Sequence, residues 1–234
     1  GGTSVADIDR IRAVRDIISD EIKDGWNVVA VVSAMSKETN KLIDLAKQVG
    51  VENLVDPEYD SLISTGEDVS SSLLAIALNG IEISSRSWRG WQLPIKTDSF
   101  HSNAKIEEIK TNQIINSFKK GVKVAVVSGF QGIEQAGRIT TLGRGGSDTS
   151  AVAIAAAIDA ERCDIYTDVS GIYTTDPRIK RNASKLKKIS FEEMLEMASL
   201  GANVLQTRAV ELAMRYKIPI RVLNSFLKEE GTLV

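Results

Sequence analysis

The sequence holds one cysteine and one histidine among its 234 residues, and this scarcity excludes several classes of site. With Cys163 alone, an intrachain disulfide framework and a multi-cysteine zinc or iron–sulfur centre are excluded. With His101 alone, metal motifs that need two histidines are excluded as well.

An excess of one charge and long apolar runs are also missing. The 29 basic and 31 acidic residues give a formal net charge of −2, whereas a nucleic-acid protein carries a basic excess on its binding face. No apolar run approaches the roughly 20 residues of a membrane span, and no leader resembles a signal peptide. We therefore expect a cytoplasmic protein with neither a nucleic-acid nor a membrane partner.

The chain is long enough to fold around a core without covalent cross-links, since a chain of this size buries roughly 70–75% of its unfolded surface. No internal repeat, low-complexity tract or linker divides the sequence. We expect one continuous domain over residues 1–234.

Short apolar runs alternate with amphipathic stretches. Val28–Val32 and Val122–Val127 are almost wholly apolar, as is typical of strands covered on both faces. Asp7–Ile22 carries apolar residues at spacings of three and four, which indicates a helix. Strands alternating with helices predict an α/β fold with a mainly parallel sheet. We further expect helices at Lys41–Val49, Glu107–Phe118, Ala151–Ile158, Ser190–Ser199 and Asn203–Tyr216, a strand at Pro219–Leu223, helix-ending glycines at Gly25, Gly50 and Gly121, and a loop or small hairpin at Ser84–Ser102.

A glycine-rich turn at 143–149 (GRGGSDT) leads directly into the predicted helix at Ala151–Ile158. Glycines let a backbone approach an anion closely, and the free N–H groups at a helix start favour a phosphate or carboxylate. Arg144 adds a planar fork suited to either anion. The alternative is that Ser147 or Asp148 simply caps the helix. The turn matches neither the dinucleotide-binding pattern nor the P-loop.

Two other segments carry weaker signals of the same kind. Residues 1–4 (GGTS) form a second glycine–hydroxyl turn before a helix, and such a turn usually follows a strand, so the numbered chain starts inside a motif. Residues 165–175 (IYTDVSGIYTT) contain two β-prone runs around a turn. The structural alternative there is a hairpin. The functional alternative places Tyr173 beside a purine, with Thr167 and Asp168 as polar partners and Arg178 facing phosphate.

Taken together and in order, these segments resemble the catalytic domain of the aspartate kinases, within the amino acid kinase family. The resemblance runs from Gly1 to Val234. It is carried by GGTSV at the start, VVSAMSKETN (31–40), STGEDVSS (64–71), TTLGRGGSDTS (140–150), YTDVSGIYTTDPR (166–178) and SFEEMLEMASLGANVLQTRAVELA (190–213). The combination is far more specific than any one of the motifs.

The resemblance implies a three-layer αβα sandwich with an open, mainly parallel eight-stranded sheet, the amino acid kinase fold. It implies transfer of the γ-phosphoryl group of MgATP to the side-chain carboxylate of L-aspartate, giving 4-phospho-L-aspartate. That reaction is the first step towards lysine, threonine, methionine and diaminopimelate. ATP is then a co-substrate with Mg²⁺, and the resemblance leads us to expect homo-oligomers or hetero-oligomers with regulatory chains.

The resemblance also assigns roles to individual residues. Arg144 and Asp148 are implied to be catalytic, with Arg144 clamping the α-carboxylate and Asp148 organising the polar network around the transferred group. Glu67 is implied to face the α-amino group. The other implied substrate residues are Ser33, Thr39, Gly145, Gly146 and Ser147. The implied ATP residues are Gly1, Gly2, Thr3, Thr167, Asp168, Tyr173, Thr174, Thr175, Asp176, Pro177 and Arg178.

The residue types suit this chemistry. Phosphoryl transfer needs alignment and charge compensation more than covalent help from the protein. A carboxylate acceptor is already ionised, so no strong general base is required. The sequence shows no dense carboxylate cluster, and we expect no permanent metal site, because Mg²⁺ arrives with ATP.

Three features depart from the resemblance. The family's lysine before the opening glycines and its first strand are absent from this numbering, and Asn203 stands where many relatives have lysine. The chain also ends at Val234, where relatives continue into ACT-type regulatory domains. Two alternatives stay open: a kinase for another small acid, such as glutamate, acetylglutamate or carbamate, and a non-catalytic subunit that binds a nucleotide or amino acid.

The remaining conspicuous residues are interpreted as structural. His101 has no partner in the sequence pattern and is expected to be structural or exposed, and Cys163 is expected to be a small buried hydrophobe. Trp88 and Trp91 either form a subunit contact or pack on their own domain.

Overall fold

The computed structural model describes residues 1–50, 55–177, 179–180, 182–202 and 204–234. Helices and strands alternate along these ranges. The helices are α1 (Ile8–Lys23), α2 (Glu38–Gln48), α3 (Pro57–Ile63), α4 (Thr65–Asn79), α5 (Asn112–Lys119), α6 (Gly146–Ala157), α7 (Phe191–Ser199) and α8 (Thr207–Tyr216). The strands are β1 (Val28–Val32), β2 (Ser85–Trp88), β3 (Ile95–Thr97), β4 (Ile106–Ile109), β5 (Val124–Ser128), β6 (Gln131–Ile133), β7 (Ile139–Thr141), β8 (Cys163–Thr167), β9 (Ile220–Asn224) and β10 (Thr232–Leu233).

The strands pair in three sheets. The first has the order β1-β5-β2 and is wholly parallel. The second has the order β10-β9-β8, in which β8 and β9 are parallel and β10 is antiparallel to β9. The third, β4-β3-β6-β7, is mixed. The expectation of an α/β fold with parallel strands is confirmed, although strand pairing in the described residues gives sheets of three, three and four strands rather than a single sheet of eight.

A cavity separates the two parallel sheets. It measures about 330 Å³ and is lined by β1 along Val28–Val32, by Cys163–Tyr166 of β8, and by side chains of α1 and α6. Within the described ranges β1 pairs only with β5, and β8 only with β9. Because no strand fills this space, β1 is only half-buried except at Val32, whereas all five residues of β5 are buried.

Most helices form where the sequence predicts them. Helix α1 begins after Asp7, whose side chain accepts a hydrogen bond from the backbone N–H of Arg10 at 2.9 Å. Gly25, Gly50 and Gly121 each follow a helix with φ near +95°, a left-handed conformation that favours glycine. The expected helix-ending role of these glycines is confirmed. Helix α6 begins five residues earlier than the alanine-rich stretch indicated.

Three expectations were wrong in detail. The stretch Glu107–Phe118 is not one helix: its start belongs to β4, and α5 follows from Asn112. The isoleucine spacing of three in Ile106–Ile109 also fits a helix, but β4 is an edge strand that exposes its glutamates, and Glu108 pairs with Lys96 of β3 at 2.7 Å. The region Ser84–Ser102 contains β2 and β3 rather than a loop or small hairpin. Helix α8 begins at Thr207, and Asn203 lies outside the described residues.

Three apolar clusters pack the elements together. One lies between α1, α4 and the first parallel sheet, a second covers the other face of β5 with α5 and α6, and the third packs α6, α7 and α8 against β8 and β9. Cys163 lies in the third cluster, and burial raises the pKa of its thiol to about 12, as expected for a small buried hydrophobe. Trp88 is buried in its own domain, whereas Trp91 is half exposed.

Within the described ranges, none of the helices combines the length and apolar character that a membrane crossing requires. The carboxyl ends of β1, β2 and β5 lie at the same edge of the first sheet, because these strands are parallel and in register. Val32 pairs with Ser128 and Trp88 with Val127 at that edge. In open α/β sheets, ligand sites form outside the carboxyl ends of the strands.

Candidate active site

Glu67 is the most unusual side chain at the carboxyl edge. It lies in the first turn of α4, and only 4% of its surface is exposed. Its Oε1 accepts a hydrogen bond from the backbone N–H of Ala34 at 3.0 Å, whereas its Oε2 is buried without a hydrogen-bond partner among the described residues. Burial raises the pKa of Glu67 to about 7. A buried carboxylate with one free oxygen is a suitable receptor for a ligand ammonium group.

Three of the sequence motifs meet around Ala34. A Cβ atom placed on Gly66 would lie 2.8 Å from the Cβ of Ala34, and one placed on Gly2 would lie 3.2 Å from the Ala34 carbonyl oxygen. Ser70 fixes the same loop, because its hydroxyl donates to the carbonyl oxygen of Ser33 at 2.6 Å. The opening glycine turn, the segment after β1 and the start of α4 are therefore in direct contact.

The glycine turn at 143–149 leads into α6 and leaves the N-terminus of this helix without a side-chain cap. Gly143 and Gly145 have φ of +76° and +70°, and Gly145 is the N-cap residue, so no side chain caps the helix. Ser147 and Asp148 lie inside the first turn, and the interpretation of either as a mere cap is wrong. Arg144 is exposed and makes no hydrogen bond or ion pair with any described residue. The turn thus presents free N–H groups and a free guanidinium, as an anion site requires.

Ser147 and Asp148 face the same edge of the sheet as the opening turn. A Cβ atom on Gly129, the residue after β5, would lie 2.9 Å from the Ser147 hydroxyl, so α6 approaches this strand end closely. Gly1, Ser33, Ser147 and Asp148 all line the cavity between β1 and β8. Burial raises the pKa of Asp148.

The second predicted ligand region lies at the carboxyl ends of β8 and β9. The Gly1 nitrogen lies 3.3 Å from the carbonyl oxygen of Tyr166, and the hydroxyl of Ser4 donates to that of Ser225 at 3.0 Å. Thr167 ends β8, and its hydroxyl donates to Asp168 at 3.2 Å. The opening turn therefore bridges the ends of both parallel sheets.

The segment after Asp168 folds differently from the expected hairpin. Strand β8 pairs with β9, and Tyr173 instead forms an antiparallel bridge with Lys185. The Thr174 hydroxyl accepts a hydrogen bond from the backbone N–H of Ser184 at 3.1 Å. Tyr173 is half-buried, and its described contacts are with this neighbouring segment rather than with the glycine turn. Of the other expected ATP residues, Thr175 and Pro177 are exposed, Asp176 is half-buried, and Arg178 lies outside the described residues.

The predicted site residues thus form two groups. One lies around β1, β5 and α6 and consists of Ser33, Glu67, Ser147, Asp148 and the opening glycines. The other follows β8 and contains Tyr173 and Thr174, which contact Lys185 and Ser184. Thr39 is half-buried in the first turn of α2, just beyond the loop that holds Ser33.

Sequence reasoning missed two carboxylates that organise this edge. Asp68 accepts hydrogen bonds from Ser128 at 2.8 Å and from Gln131 at 3.2 Å, and its other oxygen lies 3.3 Å from Arg89. Its position beside Glu67 in the STGED motif was the available signal. Asp60 is wholly buried and contacts His101, and nothing in the sequence around it indicated that role. The structural interpretation of His101 is consistent with this contact.

The α/β core thus carries two glycine turns and a buried carboxylate at its carboxyl edge. The chain belongs to the amino acid kinase family, whose sequence profile matches residues 1–224.

Among the proteins similar to this chain are several aspartate kinases. The chain is 53% identical over 234 residues to aspartate kinase Ask_LysC of Stutzerimonas stutzeri strain A1501, covering all of this chain and 56% of that protein. It therefore spans little more than half the length of this curated relative.

Solved structures of aspartate kinases also align with this chain. The aspartate kinase from Synechocystis aligns with a TM-score of 0.87 at 47% identity, over all of this chain and 39% of that one. Aspartokinase III of E. coli, in complex with aspartate and ADP, aligns with a TM-score of 0.88 at 30% identity, over all of this chain and 63% of that one.

Proposed function

We propose that this chain is the catalytic part of an aspartate kinase, which transfers the γ-phosphoryl group of MgATP to the side-chain carboxylate of L-aspartate. The single observation that carries the proposal is the buried Glu67 carboxylate, whose Oε2 has no partner among the described residues. The names of the similar proteins support the same substrate pair, since one of them is a complex with aspartate and ADP. The product is 4-phospho-L-aspartate.

Recognition of the amino acid follows from charge. The α-ammonium group donates to the free oxygen of Glu67, and Arg144 grips the α-carboxylate through two parallel hydrogen bonds. Backbone N–H groups of Gly145 and Ser147 border the same anion, and Gly146 lies between them with no side chain to obstruct it, because no side chain caps the start of α6. Ser33 and Thr39 close the pocket on the β1 side. Aspartate then presents its second carboxylate towards the nucleotide.

The nucleotide lies on the side of the opening turn. Gly1, Gly2 and Thr3 cradle the phosphates, and Thr167, Asp168 and the face of Tyr173 border the nucleoside. The segment from Thr174 to Pro177, with Arg178, holds the outer phosphates, although Arg178 lies outside the described residues.

The residues also suit Mg²⁺ brought in by ATP. Among the described residues no group of three or more histidine, cysteine or acidic side chains could hold a metal by itself. Asp148 lines the cavity together with Gly1, and Asp168 follows the last residue of β8, so two carboxylates lie on the side of the proposed phosphate position. The ion supplies charge compensation on the phosphate oxygens when bound. Asp148 holds the polar network in place around the transferred group.

The acceptor needs no general base. The side-chain carboxylate of aspartate is ionised at neutral pH and attacks the γ-phosphorus with its own electron pair. The protein therefore aligns the two substrates and compensates charge, which is what phosphoryl transfer requires. The scarcity of histidine and cysteine is consistent with this chemistry.

We further infer that a β-strand supplied from upstream of Gly1 fills the cavity between β1 and β8. Both strands have an unpaired edge there within the described ranges, and unpaired edges inside a molecule leave backbone groups unsatisfied. The family resemblance places a lysine at the end of that strand, beside the transferred phosphoryl group. We propose likewise that regulatory domains follow Val234 and that the protein assembles into oligomers.

The proposed function is tested by measuring ADP release from MgATP by the full-length gene product, with L-aspartate, L-glutamate, N-acetylglutamate, carbamate or UMP as acceptor. We expect release that depends on L-aspartate and is much weaker with the other four. A preference for another acceptor would favour a kinase for a different small substrate. Binding of ATP and aspartate without turnover would favour a non-catalytic subunit.

A further inference from the structure

The side chain of Asp60 is wholly buried and joins three separate segments of the chain. It lies on α3, and its relative exposure is 0%. A buried carboxylate is costly unless hydrogen bonds compensate the lost hydration. The partners of Asp60 therefore show which parts of the molecule depend on it.

The first set of partners lies in the loop between β3 and β4. The backbone N–H of Ser102 donates to both carboxylate oxygens, at 3.1 and 2.9 Å. The Nδ1 of His101 lies 3.0 Å from Oδ2, and the Ser102 hydroxyl lies 3.3 Å from Oδ1. Ser102 itself has a left-handed φ of +64°, so the loop takes an uncommon conformation at this contact.

The second partner is Thr141, the last residue of β7. Its backbone N–H donates to Oδ2 at 2.9 Å, and its hydroxyl donates to Oδ1 at 2.7 Å. Both oxygens of Asp60 thus accept from backbone N–H groups as well as side chains. Hydrogen bonds to an ionised acceptor are about twice as strong as neutral ones.

These contacts connect the two proposed ends of the amino-acid pocket. Asp60 lies seven residues before Glu67, and its carbonyl oxygen accepts from the backbone N–H of Ser64, which leads into α4. Thr141 lies three residues before Arg144. One carboxylate therefore ties the segment that carries the ammonium receptor to the segment that carries the carboxylate clamp.

The loop held by Asp60 also supports the glycine turn directly. A Cβ atom on Gly143 would lie 2.9 Å from the side-chain oxygen of Asn103 and 3.1 Å from the carbonyl oxygen of Ser102. Asn103 accepts from Arg208 at 2.6 Å, and Arg208 also donates to the carbonyl oxygen of Leu142 at 3.0 Å. Displacement of this loop would move the backbone on which Arg144 stands.

We propose that Asp60 is a positioning residue that sets the separation between Glu67 and the Arg144 turn, and thereby the affinity for the amino-acid substrate. The inference rests on the proposed function for the identity of that substrate. Asp60 does not touch the substrate itself and acts through Thr141 and the loop at 101–103.

The test is the substitution Asp60→Asn. An amide keeps the shape but loses the charge and can accept on one side only. Oδ2 accepts from the backbone N–H groups of Ser102 and Thr141, so the amide nitrogen takes the place of Oδ1. There the Ser102 N–H loses its second acceptor, the Ser102 and Thr141 hydroxyls must turn to accept, and the charge assistance of these bonds is lost. In the full-length protein we expect the KM for aspartate to rise about tenfold or more, with little change in the KM for ATP. The matched control is Glu58→Gln, which removes an exposed pairing of the same helix with Arg138 and should change neither KM.

Hydrogen exchange distinguishes positioning by Asp60 from a general contribution of Asp60 to the stability of the fold. In the Asp60→Asn protein, exchange should quicken in residues 98–104 and 139–145, while β1 and α1 stay protected. A second pair of variants covers failure of Asp60→Asn to fold: His101→Asn keeps a donor near the position of Nδ1 and should preserve the aspartate KM, whereas His101→Ala should raise it several-fold.

An unchanged aspartate KM in folded Asp60→Asn would overturn the proposal, as would equal rises in both KM values with faster exchange throughout. If that variant does not fold, equal aspartate KM values for the two His101 variants would overturn it. If the unaltered protein does not phosphorylate aspartate, the proposed function fails instead. The local exchange result then still decides whether Asp60 positions the glycine turn.

Discussion

Glu67 and Ala34 are joined through only one of the two carboxylate oxygens of Glu67. Oε1 accepts from the Ala34 N–H at 3.0 Å, whereas Oε2, which is also buried, has no hydrogen-bond donor among the described residues. Leaving a buried acceptor unmatched costs roughly 1–3 kcal/mol. The cost is recovered when a ligand ammonium group donates to Oε2. We propose that this unmatched oxygen gives the pocket a preference for an amine.

The first prediction concerns stability and pH. The pKa of Glu67 is raised from 4.5 to about 7, so the folded state binds more protons than the unfolded state between these values. Stability should therefore fall as pH rises through that window and stay reduced above it. Since one pKa unit corresponds to about 1.4 kcal/mol, the loss is on the order of 3 kcal/mol.

Glu67→Gln removes that titration. Urea unfolding should show the variant gaining stability relative to the unaltered protein from pH 5 to pH 8, by up to about 3 kcal/mol. Glu211→Gln, at an exposed position of α8, serves as the control and should show no such trend. Parallel pH curves for Glu67→Gln and the unaltered protein would contradict the prediction.

The second prediction concerns the pH dependence of catalysis. Aspartate binding requires Glu67 to be ionised in the free enzyme, so kcat/KM for aspartate should rise with pH through an apparent pKa of about 7. The Glu67→Gln enzyme should show a much lower kcat/KM without that rise. A profile of the unaltered enzyme that is flat between pH 6 and pH 8 would remove Glu67 from the amine site.

The third prediction separates the two substrates at Arg144. Because a charge-assisted hydrogen bond contributes roughly 1.5–3 kcal/mol, Arg144→Ala should lower kcat/KM for aspartate about tenfold to a hundredfold or more. Its ATP binding should be unchanged. Arg144→Lys keeps the charge but loses the planar fork, so its kcat/KM for aspartate should lie between that of the unaltered enzyme and that of Arg144→Ala.

Arg215→Ala, at an exposed position of α8, provides the matched loss of a guanidinium and should behave like the unaltered enzyme. Steady-state kinetics with each substrate varied in turn makes the comparison. If Arg144→Ala retains normal aspartate kinetics but binds ATP weakly, then the glycine turn belongs to the nucleotide and the two subsites are exchanged.

The fourth prediction concerns Tyr173. If its ring borders the adenine, Tyr173→Ala should weaken ATP binding by roughly 0.5–1.5 kcal/mol, the value of an aromatic contact beyond its area. Its bridge to Lys185 supports the competing expectation that the ring only stabilises the local backbone pairing. ATP titration together with melting temperature distinguishes them, with exposed Tyr216→Ala as control. A lower melting temperature with unchanged ATP affinity would favour the structural role.

The fifth prediction concerns the cavity between β1 and β8. A version extended upstream by about 5–6 residues, the length of one strand, should melt at a higher temperature and slow amide exchange in Val28–Val32 and Cys163–Thr167. A lysine ending that strand should raise kcat by about 10²–10³, by analogy with other single electrostatic donors. Equal melting and equal turnover in the two versions would show that neither strand nor lysine has the assigned role.

Local signals in the sequence predicted much of the fold. The apolar runs at β1 and β5 and the glycines after α1, α2 and α5 act within a few residues, so their pattern is readable without tertiary information. The failures occurred where tertiary pairing decides. Ile106–Ile109 suits a helix by spacing, but pairing with β3 makes it an edge strand.

The site divides in the same way. Glu67 and the turn around Arg144 belong to motifs that a family resemblance makes visible, and the structure brings the first beside Ala34 as a buried, half-satisfied carboxylate. The role of Asp60 depends on partners about forty and eighty residues away, His101 and Thr141, so no local pattern could indicate it. The exposed position of Arg144 is likewise set by packing at the start of α6.

Trapping of the acyl phosphate tests the central claim most directly. The full-length protein is incubated with MgATP, L-aspartate and hydroxylamine, which converts an acyl phosphate into a hydroxamate. We predict the β-hydroxamate of aspartate in amounts equal to the ADP released, and, at subsaturating aspartate, a fall in its rate of formation of about tenfold or more in Glu67→Gln and Arg144→Ala. Release of ADP without aspartyl hydroxamate would contradict phosphorylation of the aspartate side chain, and equal hydroxamate from glutamate would contradict the preference for aspartate.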